Sequence, residues 1–324
     1  MLARLKQRLP APRGAVLDRL LIYSIALLII AVGAFALYYY FDRQDSGGGA
    51  DLTGRRIASA ETAVREHPED VSARVNLADL YFAETRFTES VEQYQVALQL
   101  DEENKEVLVG LGRALLASGD HKAAAEKFQK AIDLASEAAL MSSVIETAYY
   151  YLGTISLTEK HPEEAVEHLK QALAIEPTDA DALYLLGTAY TDAGDTDAAI
   201  ASFAQAVRLV PNFTEAYEKL IVAYEGKGLE AEAQYARGML AYSQDRYEAA
   251  VEDLEAAVAA SPELASAHAG LGLARESLGE REAAIAAYQR AIELDPDSFS
   301  ARSGLVRLGA PGAEETSAEE GVTP

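Results

Sequence analysis

The chain has 324 residues, with 28 lysines and arginines against 52 aspartates and glutamates, which gives a formal net charge of −24. An acidic body of this kind repels phosphate backbones, so the composition argues against nucleic-acid binding. The absence of cysteine excludes disulfides, cysteine-ligated zinc and thiol catalysis. The acidity either steers basic polypeptides toward the protein or serves only to keep it soluble, and both readings stay open.

The amino-terminal region differs from the rest in charge and hydropathy. Residues 1–43 carry a net charge of +4, which leaves −28 for residues 44–324. Residues 20–41 contain no charged side chain and, as a helix, would span about 33 Å, enough for a hydrocarbon core of roughly 30 Å. We therefore predict an uncleaved transmembrane signal anchor over residues 20–41. A cleaved signal peptide is the alternative, but its apolar region is typically only about 7–15 residues long.

The flanks of this segment predict its orientation. Residues 1–19 hold five basic residues. They are expected to form a cytoplasmic flank, because segments rich in lysine and arginine next to a membrane span remain on the cytoplasmic side. The expected location is thus the cell inner or plasma membrane, single-pass, with the remainder of the chain extracytoplasmic in the cell envelope. Residues 42–51 contain three consecutive glycines and are predicted to be a flexible linker.

From here on the sequence repeats with a period of roughly 34 residues. A pair of leucine and a small residue recurs in the first half of each unit, and a small residue, a large apolar residue and alanine recur in the second half. The first pattern is found at Leu77-Ala78, Leu111-Gly112, Leu152-Gly153, Leu186-Gly187, Leu271-Gly272 and, with arginine for leucine, Arg237-Gly238. The second is found at Ser90/Tyr94/Ala97, Ala124/Phe128/Ala131, Ala165/Leu169/Ala172, Ala199/Phe203/Ala206, Ala250/Leu254/Ala257 and Ala284/Tyr288/Ala291.

This pattern resembles the tetratricopeptide repeat, in which each unit is a pair of antiparallel helices. The resemblance covers residues 52–309 and implies an all-α, right-handed superhelix (α-solenoid) of about six repeats plus one unpaired helix. Small residues allow two helices to approach closely and large residues fill the space between them. The predicted units are 71–104, 105–138, 146–179, 180–213, 231–264 and 265–298, with an extra helix over 214–227.

Two spacings depart from this period. Ala131 and Ala172 lie farther apart than one period, which predicts extra residues near 139–145 and longer helices there. Ala206 and Ala257 are separated by one and a half periods, so the helix at 214–227 is predicted to lack a partner and to mark a bend near 226–230. Helices at 52–66 and 298–308 are predicted to cap the array with polar outer faces, and residues 310–324 to form a disordered acidic tail.

No pattern for catalysis, cofactor binding or metal binding stands out. The five histidines do not form a His-Glu-x-x-His motif, and phosphate-binding, nucleophile-elbow and dinucleotide motifs are missing from the sequence. We therefore expect a protein that is not an enzyme and that needs neither a cofactor nor a metal.

The resemblance implies a ligand groove lined by the first helix of each unit. The residues that the register places there, and that we predict to contact a partner, are Arg113, Tyr150, Thr154, Tyr184, Thr188, Tyr235, Met239 and Tyr242. Tyrosine supplies contact area at a low entropic cost and is common in binding surfaces. The alternative is that these tyrosines only pack between neighbouring helices.

These features together predict a membrane-tethered scaffold or assembly factor for protein–protein interaction. Its partner would be a protein or peptide, for which a basic segment is one alternative, bound as an extended peptide or as a helix. A periplasmic holdase chaperone associated with secretion or envelope biogenesis is the alternative function. The oligomeric state stays open.

Overall fold

The computed structural model describes residues 48–136 and 139–310, and all regular structure within these residues is helical. The described residues form two compact units, one ending at Gln93 and the other beginning at Tyr94. The predicted basic flank (1–19), the membrane helix (20–41) and residues 311–324 of the tail lie outside the described residues. Among the helices that the structure does describe, none is both long and apolar enough to cross a bilayer.

The first unit contains α1 (Gly48–Glu66), α2 (Val71–Ala83) and the beginning of α3 (Phe87–Leu100). Helices α1 and α2 pack through a core that includes Ile57, Leu77 and Tyr81. The hydroxyl of Tyr81 donates a hydrogen bond to Glu61 (2.8 Å). Helix α1 begins at Gly48, so the last four residues of the predicted linker are helical. Glycine is tolerated at a helix start, and here it does not break the helix.

The second unit contains the rest of α3 and twelve further helices. They are α4 (Lys105–Ala117), α5 (His121–Asp133), α6 (Ser143–Thr158), α7 (Pro162–Ile175), α8 (Ala180–Asp192), α9 (Thr196–Leu209), α10 (Thr214–Lys227), α11 (Glu230–Ser243), α12 (Tyr247–Ala260), α13 (Ala265–Ser277), α14 (Arg281–Leu294) and α15 (Phe299–Arg307). Helix α6 has 16 residues where α4 and α8 each have 13, which accounts for part of the longer spacing between Ala131 and Ala172.

Local side-chain chemistry fixes where these helices begin and end. The Asp179 side chain accepts hydrogen bonds from the backbone N–H groups of Asp181 and Ala182, and Asn104 and Asp195 cap their helices in the same way. Such caps satisfy backbone donors that have no partner inside the helix. Gly194, with φ = +83°, ends the turn after α8 in the left-handed conformation that glycine adopts without strain.

Five hairpins each pack a large side chain of the second helix against a glycine of the first. A Cβ placed on Gly112, Gly187 or Gly272 would come within 2.5–2.6 Å of the rings of Phe128, Phe203 and Tyr288. Those rings are fully buried. The small residues predicted to permit close approach therefore have this role in the structure.

Helix α10, predicted to lack a partner, in fact packs along α11, which corrects that expectation. The same α11 also packs closely against α12. Its buried residues are Ala231, Ala233, Ala236, Gly238, Met239 and Ala241. Because these residues are nearly all small and lie on more than one side of the helix, α11 serves as second helix to α10 and as first helix to α12.

The carboxyl-terminal cap also differs from its prediction. The inner side of α15 is buried through Ala301 and Leu305, and Ala310, predicted to open the disordered tail, packs into the same core. The outer face, however, is not wholly polar, because Phe299 is 81% exposed and Val306 is 61% exposed.

Candidate functional site

The predicted groove residues begin on α4, α6 and α8, the first helices of three consecutive hairpins, and each of these helices contacts the next. Arg113, Thr154 and Thr188 occupy equivalent positions in them. Tyr150 and Tyr184 lie one turn before the two threonines. Each threonine hydroxyl donates a hydrogen bond to the backbone carbonyl of that tyrosine, at 3.0 Å in both helices. We name Tyr150, Thr154, Tyr184 and Thr188 the tyrosine face; all four side chains are half-buried.

Tyr150 is the most distinctive member of this face. Its ring meets that of Tyr151 edge-on, with centroids 5.3 Å apart. Burial raises the pKa of Tyr150 to about 12, and the negative charges of Asp181 and Asp179 at the start of α8 add to the shift. The hydroxyl therefore remains protonated at neutral pH, so Tyr150 can donate a hydrogen bond next to carboxylates.

Negative charge also accumulates beside Tyr150 on α6. Burial raises the pKa of Glu146, and the charges of Asp179 and Glu176 raise it further, against a hydrogen bond from Thr147. The negative charges of Asp179 and Glu176 make it less favourable for Glu146 to ionise. The surroundings of Tyr150 therefore favour a cation.

Tyr184 packs against two phenylalanine rings. Its ring lies 5.7 Å from Phe203 and 5.2 Å from Phe213, measured between centroids. Burial raises its pKa, and Glu215 on α10 contributes to the rise. Phe213, the residue before α10, was not identified from sequence, since no repeat position corresponds to an aromatic residue in that turn.

The residues predicted on α11 are placed differently. Met239 is only 7% exposed, and its sulfur lies near Gly270 of α13. Burial raises the pKa of Tyr235 to about 12, with a smaller contribution from Tyr224 of α10. Tyr235 packs against the same core as Tyr184 and Tyr242. The shared role of α11 thus uses Tyr235 and Met239 for packing between helices.

Tyr242 borders an open pocket on the carboxyl-terminal side, together with Leu273, Glu276, Ser277 and Arg307. Arg307 donates two hydrogen bonds to Glu276, at 2.8 and 2.9 Å. The Tyr288 hydroxyl donates a third to the same carboxylate at 2.6 Å. This network joins α13, α14 and α15, and sequence reasoning did not identify Arg307 as part of it.

The structure therefore places the predicted residues in three settings: on the tyrosine face and the helix beside it, between helices at Tyr235 and Met239, and at the pocket that Tyr242 borders. The tyrosine face lies on α6 and α8, with Arg113 on the adjacent α4. Tyr242 lies near the carboxyl-terminal end of α11, where it borders the pocket with Leu273 and Glu276. Of these, the tyrosine face combines accessible ring surface, hydrogen-bond donors and nearby carboxylates.

Comparison with known proteins places this architecture in a family. Two family models, both described as tetratricopeptide repeat, match the chain: one at residues 156–224, and the other at residues 57–105, 77–139, 214–263 and 235–299. The matches at 214–263 and 235–299 overlap in the second half of α11 and in α12. A search of curated protein sequences finds no match.

Several solved structures are similar. BtubC from P. vanneervenii is 18% identical with a TM-score of 0.52, over 61% of this chain and 90% of that one. The carboxyl-terminal part of a TPR repeat-containing protein from Cytophaga hutchinsonii is 16% identical with a TM-score of 0.50, over 81% and 97%. MamA is 29% identical with a TM-score of 0.48, over 52% and 95%. At the identities of the first two, the similarity is one of fold.

Proposed function

The chain belongs to the tetratricopeptide-repeat family, and we propose that it is a membrane-tethered scaffold that binds a peptide or partner helix on the tyrosine face. Repeats of this family mediate protein–protein interactions. What is specific to this chain is the place of binding, the charge of the partner and the tether. Each of these three parts rests on a different observation.

The observation that carries the proposal is the repetition of one tyrosine–threonine pair on two helices in contact. Tyr150 with Thr154, and Tyr184 with Thr188, occupy the same positions in α6 and α8. A ligand crossing both helices would meet a half-buried ring and a polar edge twice, at the spacing of the repeat. Rings that are already held in place lose little entropy on binding, which favours affinity.

The surrounding charges favour a basic partner. Asp179 and Asp181 act on Tyr150, and Glu215 and Glu218 act on Tyr184. A lysine or arginine of the partner could lie over a tyrosine ring and face these carboxylates, so that cation–π attraction and opposite charge act together. The net charge of the chain, −24, would speed the approach of such a partner at low salt.

The tether follows from residues 20–41, which the structure does not describe. A run of this length without a charge, preceded by five basic residues, supports a single span with the repeats on the extracytoplasmic side. A tethered scaffold would hold its partner next to the membrane. A holdase chaperone on the same anchor would instead bind many unfolded chains briefly.

Binding can be tested at one residue with a matched control on the same helix. We expect Tyr150→Ala to weaken binding of lysine- and arginine-containing peptides, selected on the intact protein, by about tenfold or more. Tyr149→Ala should leave binding unchanged, because Tyr149 lies on another side of α6. Its ring centroid is 6.3 Å from that of His168 on α7. Fluorescence anisotropy measures the affinity, and circular dichroism confirms that both variants keep their helicity.

Cross-linking in cells separates the two functions. A photo-reactive amino acid at position 150, but not at 149, should yield one dominant adduct for a scaffold and a broad series for a chaperone. Protease added to intact spheroplasts should digest the repeats. Equal effects of Tyr150→Ala and Tyr149→Ala would contradict binding at the tyrosine face, and protected repeats would contradict the proposed orientation.

A further inference from the structure

Each tyrosine of the tyrosine face lies beside a carboxylate from the helix that opens the next hairpin. Tyr150 and Tyr184 stand one repeat period apart, and so do Asp181 and Glu215, in the first turns of α8 and α10. The ring of Phe213, the residue before α10, lies 5.2 Å from that of Tyr184, which puts this turn against the tyrosine. Asp181 is the strongest charge acting on Tyr150, and Glu215 is the strongest acting on Tyr184. We name these two combinations the ring–acid pairs.

Both carboxylates are available to a partner. Asp181 and Glu215 are exposed, and neither belongs to an ion pair in the part of the chain that the structure describes. Lys219, one turn after Glu215, is also outside the ion pairs of that part, so it does not occupy this carboxylate. A helix N-terminus carries about half a positive charge, which one carboxylate more than offsets. A lysine or arginine of a partner can therefore bind at each ring–acid pair.

The row of ring–acid pairs ends on both sides. At the positions of the tyrosine and the threonine, α4 carries Val109 and Arg113, and α10 carries Glu218 and Val222. Neither helix adds a tyrosine to the row. A partner that crosses from α4 to α10 therefore meets two ring–acid pairs, on α6 and α8.

The distance between the two pairs is set by the helices that carry the tyrosines. Helices α6 and α8 are in contact, and the axes of contacting helices are roughly 8–10 Å apart. Because Tyr150 and Tyr184 occupy equivalent positions, their separation across the face is close to that value. Two basic residues of one partner segment bind both pairs with least strain when their side chains leave the backbone about this far apart.

The threonines of the face favour an extended backbone in the partner. The hydroxyls of Thr154 and Thr188 donate to carbonyls of their own helices and keep oxygen lone pairs as acceptors. An extended segment has free backbone N–H groups for these oxygens, whereas a helix pairs its own. In a polyproline II helix, residues three positions apart lie on the same side and about 9 Å apart. In a β-strand, residues three positions apart point to opposite faces.

We propose that the partner contributes a polyproline II segment with two basic residues three positions apart, a pattern that presupposes binding at the tyrosine face as proposed above. One basic side chain binds between Tyr150 and Asp181. The other binds between Tyr184 and Glu215. The chain thus selects its partner by the number and the spacing of basic residues as well as by their charge.

The spacing can be tested with two capped, fluorescein-labelled peptides of the same composition, two lysines and five prolines. In the close peptide the lysines are separated by two prolines, as Lys-Pro-Pro-Lys. In the wide peptide they stand at the two ends, on the same side of the polyproline II helix but about 19 Å apart. Fluorescence anisotropy with the full chain in detergent at low salt should show about tenfold tighter binding of the close peptide, because only it binds both ring–acid pairs at once.

Substitutions of the two carboxylates link this preference to the ring–acid pairs. Asp181→Asn and Glu215→Gln should each weaken binding of the close peptide by about fivefold. Each should weaken binding of the wide peptide by only about twofold, because that peptide uses one pair at a time and keeps the other. Glu163→Gln is the matched control: Glu163 is an exposed carboxylate in the first turn of α7, and its loss should leave the binding of both peptides unchanged.

Failure of the spacing and failure of the face give different results. If Tyr150→Ala weakens binding of both peptides but the unsubstituted chain binds them equally well, the face binds cations and the spacing is wrong. If neither peptide responds to Tyr150→Ala, binding at the tyrosine face is itself wrong. Tighter binding of an alanine-rich helical peptide with lysines seven positions apart, about 10.5 Å, would overturn the extended conformation. Equal losses from Glu163→Gln and Asp181→Asn would overturn the role of the ring–acid pairs.

Discussion

Two parts of the second unit pair their helices in different ways. From α4 to α9, three hairpins follow one another, each with a glycine on the first helix and a large side chain on the second. From α10 to α12, three helices make two hairpins, because α11 takes part in both. The difference shows that a repeat array can change by half a unit without leaving a helix unpaired.

The composition of α11 makes this sharing possible. A helix packed on two sides needs small residues where its neighbours come closest, and four of its six buried residues are alanines. Ion pairs support the arrangement at the surface: Arg237 of α11 contacts Glu225 of α10, and Lys227 of α10 contacts Asp197 of α9. Such exposed pairs contribute little to stability, so the close fit of small residues carries the contact.

The largest expected effect comes from the regular part. Phe203→Ala removes the fully buried ring that lies against Gly187, and we expect it to lower the free energy of unfolding by about 3–5 kcal/mol. Val222→Ala on α10 is the control: Val222 is 68% exposed, and its loss should change stability by less than about 0.5 kcal/mol. Urea unfolding followed by circular dichroism measures both. Similar midpoints for the two variants would contradict the tight packing of this hairpin.

A smaller but more discriminating effect is expected in the shared helix. Ala236 on α11 is completely buried, and Ala236→Leu should cost about 1–3 kcal/mol, because neither neighbouring helix can move away without losing its own contacts. Ala256→Leu on α12 is the matched control, since Ala256 is exposed and leucine is a good helix former. The same unfolding measurement applies. A harmless Ala236→Leu would mean that α11 packs closely on one side only.

The regular hairpins could be predicted from sequence, but the shared helix could not. A constant repeat period with glycine and a large side chain at fixed positions has one structural solution, and the structure shows it at Gly112, Gly187 and Gly272. In α11, Gly238 fits the first-helix pattern, whereas one period after Ala199, Phe203 and Ala206 stand Ala233, Arg237 and Leu240, of which only Ala233 fits the second-helix pattern. A period assigns each helix a single role, so the reading as a first helix left α10 without a partner.

The candidate site was predictable only in part, for a related reason. Register places Tyr150 and Tyr184 on one face of consecutive helices, but it does not say how deeply either ring is buried. Phe213 packs on Tyr184 from the turn before α10. The negative charges of Asp179 and Asp181, at the start of α8, act on Tyr150 of α6. Contacts between turns and helices depend on how the units stack, which the periodicity of a single helix does not encode.

The smallest expected effects concern two glutamates with opposite pKa shifts, Glu146 on regular α6 and Glu276 on α13, beyond the shared helix. Hydrogen bonds from Arg307 and Tyr288 lower the pKa of Glu276 below its ordinary value of 4.5, and burial opposes them. Its stabilisation is complete above pH 4.5 and disappears as the pH falls through the lower folded value. Glu276→Gln should therefore cost about 1 kcal/mol at pH 7 and less in acid.

Glu146 should behave in the opposite way. Burial and Asp179 raise its pKa above 4.5, so its ionisation opposes folding, and stability falls as the pH rises through the interval above that value. Because the side chain is only half-buried, Glu146→Gln should stabilise by no more than a few tenths of a kcal/mol at pH 7, with no gain below pH 4.5. Unfolding midpoints at pH 4, 5 and 7 give the sign for each variant. If both variants shift stability in the same direction at pH 7, the carboxylates around Tyr150 do not repel one another, and the argument for a cation on the tyrosine face loses its support.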